Sequence, residues 1–489
     1  MESQPLPSPA RWGVTVLNVS GGLLAALALL SAGAAARFVP MYGAHLGDFV
    51  IALGIIVAIA TGINRLSRLS SGVCTALAFL LGLALRLIGI YLFHDAAQTS
   101  DPGIYSGMAN RLLLEGTIGA PGGTYGPDLR ALYPPLYPVV LAGFRAFLGD
   151  GIVSIFTLNL ICDCLASVLM WRLALRWADA PTARAAAMLY FLFPPFMLSS
   201  AIAQKESLVL VFVLALAFGA IRLFEGRHRL QSALLMGGAT GLLGLTQPAY
   251  ITLGPLAFGA LLIAEPSRFR QLTSYAAVAG FVAILCLLPW WVRNWLLWQR
   301  FVPLTDGSGI ALTVAVRGAY VPISTEIANL PEPDPFQAVG RLAVNALFQD
   351  PAAYAQRLVV RVGAGLINND DAGQRFGFGH APSKRAFVSV VVLVAQLSYS
   401  AVLAACARSL LVWHHKLEST VLPLFIAVCV VQMFVFNVWL EFSERHRLYL
   451  LLVEISVAAL WLHSPRRASM APLISTGIDR ARDQCRLRQ

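Results

Sequence analysis

Charge is what this 489-residue chain has least of. Only 12% of its residues are Asp, Glu, Lys or Arg, against roughly 25% in a soluble domain. With 57% hydrophobic residues, the shortage excludes a water-facing surface of this size. Cysteines at paired loop spacing are missing as well. Of the seven, Cys74, Cys162, Cys164, Cys286, Cys406 and Cys429 lie in apolar runs and Cys485 in the tail, which excludes a disulfide framework and a zinc site. There are no alternating ten-residue segments of the kind a transmembrane barrel needs, and no inverted or parallel internal repeat. The first apolar run lacks a small-residue cleavage site and more runs follow it, so it reads as a retained helix.

What the chain has instead is apolar runs long enough to cross a ~30 Å hydrocarbon layer as helix. Water cannot satisfy the backbone there, so helix is the expected spanning form. The runs predict about twelve spans, near 14–33, 46–63, 72–93, 152–171, 185–203, 206–222, 231–246, 249–264, 272–291, 388–407, 419–438 and 447–463. The fold class is an all-α polytopic membrane protein. The net charge of +11 is scattered between apolar runs and marks topology and lipid headgroup contact rather than nucleic acid.

The positive-inside rule orients the spans. With the N-terminus in the cytoplasm, every short inner connection is basic: Arg65 and Arg68; Arg172, Arg176 and Arg184; Arg222, Arg227 and Arg229; Arg268 and Arg270; Arg408 and Lys416. The outer connections are nearly free of cations, apart from Arg37, Lys205 and the Arg445/Arg447 pair. Two long segments fall outside, 94–151 and 292–387. The first predicts amphipathic surface helices at 103–115 and 135–149, and the second a small cap with helices near 335–349 and 351–366. The expected division is a transmembrane hairpin at 1–70, a transmembrane module at 71–291 with its loop 94–151, the cap at 292–387, C-terminal spans at 388–464 and a basic cytoplasmic tail at 465–489.

The polar residues that stand out cluster on the outer side. Asp101 sits where a helix cap is expected, and it also suits a general base just above the bilayer. Glu206, in Gln204-Lys205-Glu206, reads either as a solvated turn or as a second carboxylate in the same cleft, where the two could hold an acceptor and take its proton. Lys205, Arg293, Arg445 and Arg447 read either as headgroup contacts or as a phosphate clamp. Asp163, Arg86 and Glu454 lie within spans, where charges are costly and are paired or functional. Asp163 with Arg86 is one candidate pair, and a proton relay is the competing idea.

A set of motifs in order carries a resemblance. They are Ser100-Asp101-x-x-x-Tyr105-x-x-x-Ala109, Leu114-Glu115-Gly116, Tyr133-Pro134-Pro135-Leu136-Tyr137-Pro138, Phe147-Leu148-Gly149, Phe193-Pro194-Pro195 followed by Glu206, Pro289-Trp290-x-x-Arg293-Asn294 with Phe301-Val302-Pro303, Asp350-Pro351-x-x-Tyr354, and Arg445-x-Arg447. Over roughly 80–460 the chain resembles the GT-C glycosyltransferases, especially the bacterial branch related to protein O-mannosyltransferases and the lipid A aminoarabinose transferase. That resemblance implies inverting transfer of a sugar from a polyprenyl-phosphate-linked donor, such as an undecaprenyl-phosphate sugar, to a glycan, lipid or protein acceptor. It implies the periplasmic face of a bacterial inner membrane, Asp101 as base or acceptor-orienting group, and Tyr105, Tyr133 and Tyr137 in the substrate loop. The chain departs from the pattern where Tyr133 replaces the Lys that aminoarabinose transferases carry before Pro-Pro. The acid pair of the first loop is also reduced to Asp101. No cofactor is assigned, and a divalent metal is left open without being favoured. Two other classes stay open: a transporter or lipid flippase, and a glycan polymerase or ligase using a lipid-diphosphate donor.

Overall fold

The structure, a computed structural model, describes residues 10–93, 101–123, 126–305, 307–318, 334–369, 371, 385–417, 421–440 and 442–462. The tail expected at 465–489, residues 319–333 and 372–384 of the expected cap, and Ser100 of the first motif lie outside the described residues. The described chain is helical apart from one short hairpin. In chain order the helices are α1 (Ala10–Ala34), α2 (Phe38–Tyr42), α3 (Leu46–Leu66), α4 (Ser71–Phe93), α5 (Asp101–Glu115), α6 (Leu136–Leu148), α7 (Ile152–Ala174), α8 (Ala180–Phe191), α9 (Pro194–Ser199), α10 (Glu206–Phe224), α11 (Arg229–Thr246), α12 (Leu253–Ala264), α13 (Phe269–Trp298) and α14 (Ser308–Arg317). They continue as α15 (Asp334–Gln349), α16 (Pro351–Ile367), α17 (Arg385–Leu417), α18 (Leu422–Val431) and α19 (Leu448–Leu462). The hairpin pairs Ala120–Gly123 with Gly126–Leu129, antiparallel. The sequence reading did not include it, although the glycines at its bend are the usual signal for a tight turn.

Among the described residues seven helices are long and apolar enough to cross a membrane, and Leu136–Leu148, Pro248–Ala264 and Leu422–Asn437 are shorter apolar helices. The reason the expected spans are not all single long helices is local chemistry. The span expected at 185–203 is split between α8 and α9, because Pro194 and Pro195 lack the N–H a continuing helix needs and push the preceding residue out of helical geometry. Gln247-Pro248 parts α11 from α12 in the same way. Beyond α18 the chain loosens into a π turn at Gln432–Asn437.

Side-chain bonds fix which connections share a face. Arg176 pairs with Glu225 at 2.7 Å. Arg268 donates to the carbonyls of Phe224 and Leu223, and Arg184 Nε–H to the Ser67 carbonyl at 2.8 Å. Four basic connections therefore meet on one side, called here the basic face. Helix packing uses small residues where backbones come close, as expected in a bilayer. On α11, Gly237 and Gly241 lie against the backbone of Ala279 and Ala283 on α13, where an added Cβ would collide.

The N-terminal hairpin packs on the C-terminal part of the chain, with α1 running along α17. Two buried polar bonds pin it there: Ser31 Oγ to Ser400 Oγ at 2.9 Å, and Gln396 Nε2 donating to the Ser31 carbonyl at 2.9 Å. The intramembrane charges are paired. Arg86 on α4 reaches Asp163 on α7 at 2.9 Å with both side chains fully buried. Arg86 also donates to the Phe191 carbonyl and lies 4.3 Å from the Phe191 ring centroid. Glu454 on α19 is 3.8 Å from Arg447.

Candidate active site

On the face opposite the basic connections, several helices end around one cavity of about 630 Å³. Two of its acids stand in the first turn of a helix, Asp101 on α5 and Glu206 on α10. The aligned peptide dipoles of a helix N-terminus favour a carboxylate there. A short 3-10 turn at Glu444–Arg447 ahead of α19 places Arg445 between the two acids. Arg445 Nη1 is 3.2 Å from Asp101 Oδ2 and 3.9 Å from Glu206 Oε1. Tyr133 donates its hydroxyl to the other Asp101 oxygen at 3.4 Å. Glu206 Oε2 is buried with no hydrogen-bond partner.

The second cation is Lys205, one residue ahead of Glu206. Its Nζ donates to Tyr105 Oη at 2.9 Å and lies 5.5 Å from that ring's centroid. Tyr105 is itself wedged edge-on against Tyr133 and Tyr137, with centroids 5.5 and 5.7 Å away. Burial, reinforced by the charges of Asp101 and Glu206, pushes the Tyr105 phenol well above its usual range. It stays protonated and serves as a fixed neutral group. Below the charged rim the wall is more apolar, with Val209, Ala249, Ile310, Ala311, Phe436 and Leu440.

Of the residues singled out from sequence, Asp101, Glu206, Lys205, Arg445, Tyr105 and Tyr133 line this cavity. Arg293, Arg447 and Tyr137 do not, and each has other contacts. Arg293 donates to the backbone carbonyls of Arg130 and Ile118 and lies 4.5 Å over Trp290, so it ties the first outer loop to the end of α13. Arg447 is fully buried, donates to the Gly365 and Asn368 carbonyls and stacks 4.1 Å from Tyr399. Tyr137 packs edge-on beneath Tyr105.

Two groups at the site were not given a role from sequence. Asp371 approaches Arg445 Nε at 3.8 Å, and its backbone N–H donates to Glu444 at 2.6 Å. The run Asn368-Asn369-Asp370-Asp371 in an acid-poor chain is the signal that could have pointed to it. His446 lines the cavity, and its Nδ1 accepts the Ser443 backbone N–H at 3.1 Å. The ring proton of the neutral form therefore sits on Nε2. Burial first, then the charges of Arg445 and Lys205, push its pKa down to about 3. The imidazole is a neutral donor across ordinary pH.

The arrangement offers carboxylates to a hydroxyl and cations to an anion within one cavity. A divalent metal fits it poorly, because a guanidinium stands where the carboxylates converge and both Asp101 oxygens are already engaged. Among the described residues no group of three or more His, Cys, Asp or Glu side chains is set to hold a metal ion.

Residues 133–293 match the family model described as dolichyl-phosphate-mannose-protein mannosyltransferase. This is the resemblance carried by the motifs, found independently over the stretch that contains Tyr133, Lys205, Glu206 and Arg293; Asp101 and Arg445 lie outside it. No curated protein matches the chain. Among solved structures it is similar to the oligosaccharyltransferase AglB from Archaeoglobus fulgidus in complex with an inhibitory peptide and a dolichol-phosphate, at 14% identity over 82% of this chain, TM-score 0.46. It is also similar to ArnT from Cupriavidus metallidurans bound to undecaprenyl phosphate, at 14% identity over 81% of this chain and 77% of that one, TM-score 0.39. The chain spans 53% of the archaeal protein's length. At these TM-scores neither structure lends a residue role to this chain.

Proposed function

We propose that the chain is a glycosyltransferase that moves a sugar, with inversion, from a polyprenyl-phosphate-linked donor to a cell-envelope acceptor. The reaction would run on the outer side of a bacterial inner membrane. The observation that carries this reading is the convergence of two carboxylates and two cations, from three separate segments of the chain, on one cavity with an apolar wall below it. In this reading 71–291 is the catalytic module, 292–387 the cap, 1–70 a hairpin braced on the C-terminal spans, and 465–489 a cytoplasmic tail.

The acceptor hydroxyl (or amine) attacks the anomeric carbon. The bond from that carbon to the phosphate oxygen breaks, and the phosphate leaves with the electron pair. The acceptor's proton passes to Asp101, with Glu206 holding the acceptor. Lys205 and Arg445 stabilise the anion that develops on the leaving group, and a phosphate needs little acid help to depart. The prenyl chain lies along Phe436 and Leu440. Arg293 holds the loop and does not touch the donor.

A transporter would place its binding groups near the midplane. Inside the bundle Arg86 and Asp163 are spent on each other at 2.9 Å, which favours the transferase. The test is purified full-length protein in lipid nanodiscs with a panel of polyprenyl-phosphate sugars and extracted envelope acceptors. Transfer is expected with one donor, and D101N is expected to lower its rate about 10²–10⁴-fold, the span of a lost general base, with unchanged thermal unfolding. Full activity of D101N would remove the base assignment. A wild type active only with diphosphate-linked glycans would move the chain to the polymerase or ligase class.

A further inference from the structure

Three apolar crevices open between helices at bilayer depth. One, walled by α10, α12 and α18, holds about 50 Å³, and a second, between α3, α8 and α17, about 70 Å³. The third lies between α4, α7 and α8 and holds about 650 Å³. It is also the only one of the three with a charged residue in its lining, Arg184.

The groove has a structural origin. Helix α4 is held to α7 by the Arg86–Asp163 bond and packs on α8 and α9. Toward the basic face α4 lines the groove with small residues, Gly72, Thr75 and Ala76 among them. Phe79 and Val168 on the two walls are 38% and 54% exposed, so the groove opens sideways to the membrane. From Arg184 to Phe191, both in its lining, is seven residues of α8, or about 10 Å at ~1.5 Å per residue. That is about a third of a ~30 Å hydrocarbon core.

We propose that this groove is a binding site for an anionic phospholipid of the leaflet on the basic face, with its phosphate on Arg184 and its chains between α4 and α7. The apolar walls at hydrocarbon depth exclude water and free phosphate, and the volume suits chains. Arg184 spends Nε–H on the Ser67 carbonyl at 2.8 Å and makes no ion pair among the described residues. Its two Nη groups remain available in the fork geometry that suits phosphate. Arg65, Arg68 and Arg172 stand on connections of the same face, so an anionic headgroup finds positive charge around it. Basic pockets between spans on the cytoplasmic side bind such headgroups. A lipid there fills the gap behind α4, the helix that leads into the Asp101 segment.

The test uses the full chain in detergent micelles, read by native mass spectrometry and thermal unfolding, with phosphatidylglycerol, phosphatidylcholine and undecaprenyl phosphate as probes. Wild type is expected to retain one phosphatidylglycerol at about fivefold to tenfold lower lipid concentration than phosphatidylcholine, the order of one charge-assisted contact, and to unfold at higher temperature with it. R184Q brings the two lipids to parity. A76F, which fills the groove, lowers retention of both, whereas A260F in the 50 Å³ crevice changes neither. Equal retention of the two phospholipids by wild type overturns the proposal without any variant. So does a preference that survives R184Q, and so does displacement of phosphatidylglycerol by an equal concentration of undecaprenyl phosphate, which would assign the groove to the carrier lipid.

Discussion

The midplane and the outer face hold the same kinds of charge and use them in opposite ways. At the midplane Arg86 has one carboxylate, at 2.9 Å, a backbone carbonyl and an aromatic face, and its side chain is fully buried with that of Asp163. At the outer face Arg445 is shared among Asp101, Glu206 and Asp371 at 3.2–3.9 Å and keeps 22% of its side chain exposed. The first arrangement is closed, since nothing further can reach it. The second is stretched over several partners and open to a cavity, so a substrate can displace part of it. A buried ion pair in a membrane protein marks architecture, and a cation shared among several acids at an open cavity marks a place for ligand.

The sharpest way to break this contrast is at Arg86. Removing one member of a buried pair strands the other charge and costs about 3–5 kcal/mol, while replacing both by apolar groups is close to neutral. R86M is therefore expected to lower the folded yield and unfolding temperature strongly, and R86M/D163L to recover most of the loss, with transfer activity per folded molecule unchanged in the double variant. A double variant that folds well but is dead would turn the midplane pair into part of the mechanism and revive the proton-relay reading.

How much of this was legible in the sequence differs by level. The apolar runs gave most helices within a few residues: 14–33 is found as Ala10–Ala34, 206–222 as Glu206–Phe224, and the cap helices expected near 335–349 and 351–366 as Asp334–Gln349 and Pro351–Ile367. Hydrophobic length is a local property, so a local pattern reports it. The Arg86–Asp163 pair was readable too, because two opposite charges in neighbouring spans have few other places to go. The choice among the outer cations was not. Arg445 and Arg447 are two residues apart in one motif, yet the 3-10 turn sends one to the cavity and the other into the bundle against Tyr399. Asp101 and Arg445 meet across 344 residues of chain, and no local pattern carries that. The hairpin at 120–129 and the packing of α1 along α17 were hidden for the same reason.

A smaller effect separates the two cations of the open site. Lys205 donates to the Tyr105 phenol at 2.9 Å from the wall of the cavity, within reach of an anion bound there. A charge-assisted hydrogen bond of this kind contributes about 1.5–3 kcal/mol, so K205M is expected to raise KM for the lipid donor, and Ki for polyprenyl phosphate, about 10–100-fold. Thermal unfolding should stay near wild type. An unchanged Ki with a lower kcat would assign Lys205 to the sugar or acceptor instead of the phosphate.

The smallest predicted effect is at His446 and needs a crossed pair of variants, because the residue also caps a turn. Its Nδ1 receives the Ser443 N–H, and its Nε2–H is the donor available to the cavity. H446N keeps an oxygen near the Nδ1 position and removes the Nε2 donor, whereas H446Q carries a donor near Nε2 and gives up the cap. If the ring contributes a neutral hydrogen bond to substrate, about 0.5–1.5 kcal/mol, H446N loses up to about tenfold in kcat/KM with normal stability, and H446Q keeps more activity at lower stability. A purely structural histidine gives the reverse order. The folded pKa of about 3 lies below the unfolded value of about 6.5, so the unfolded chain binds the extra proton between those limits. This group's contribution to stability is fully present above pH 6.5 and falls away as the pH drops toward 3. Wild-type activity should accordingly show no limb from this residue between pH 6 and 8, and an ionisation near 6.5 that vanishes in H446N would mean the imidazole is charged in the working site.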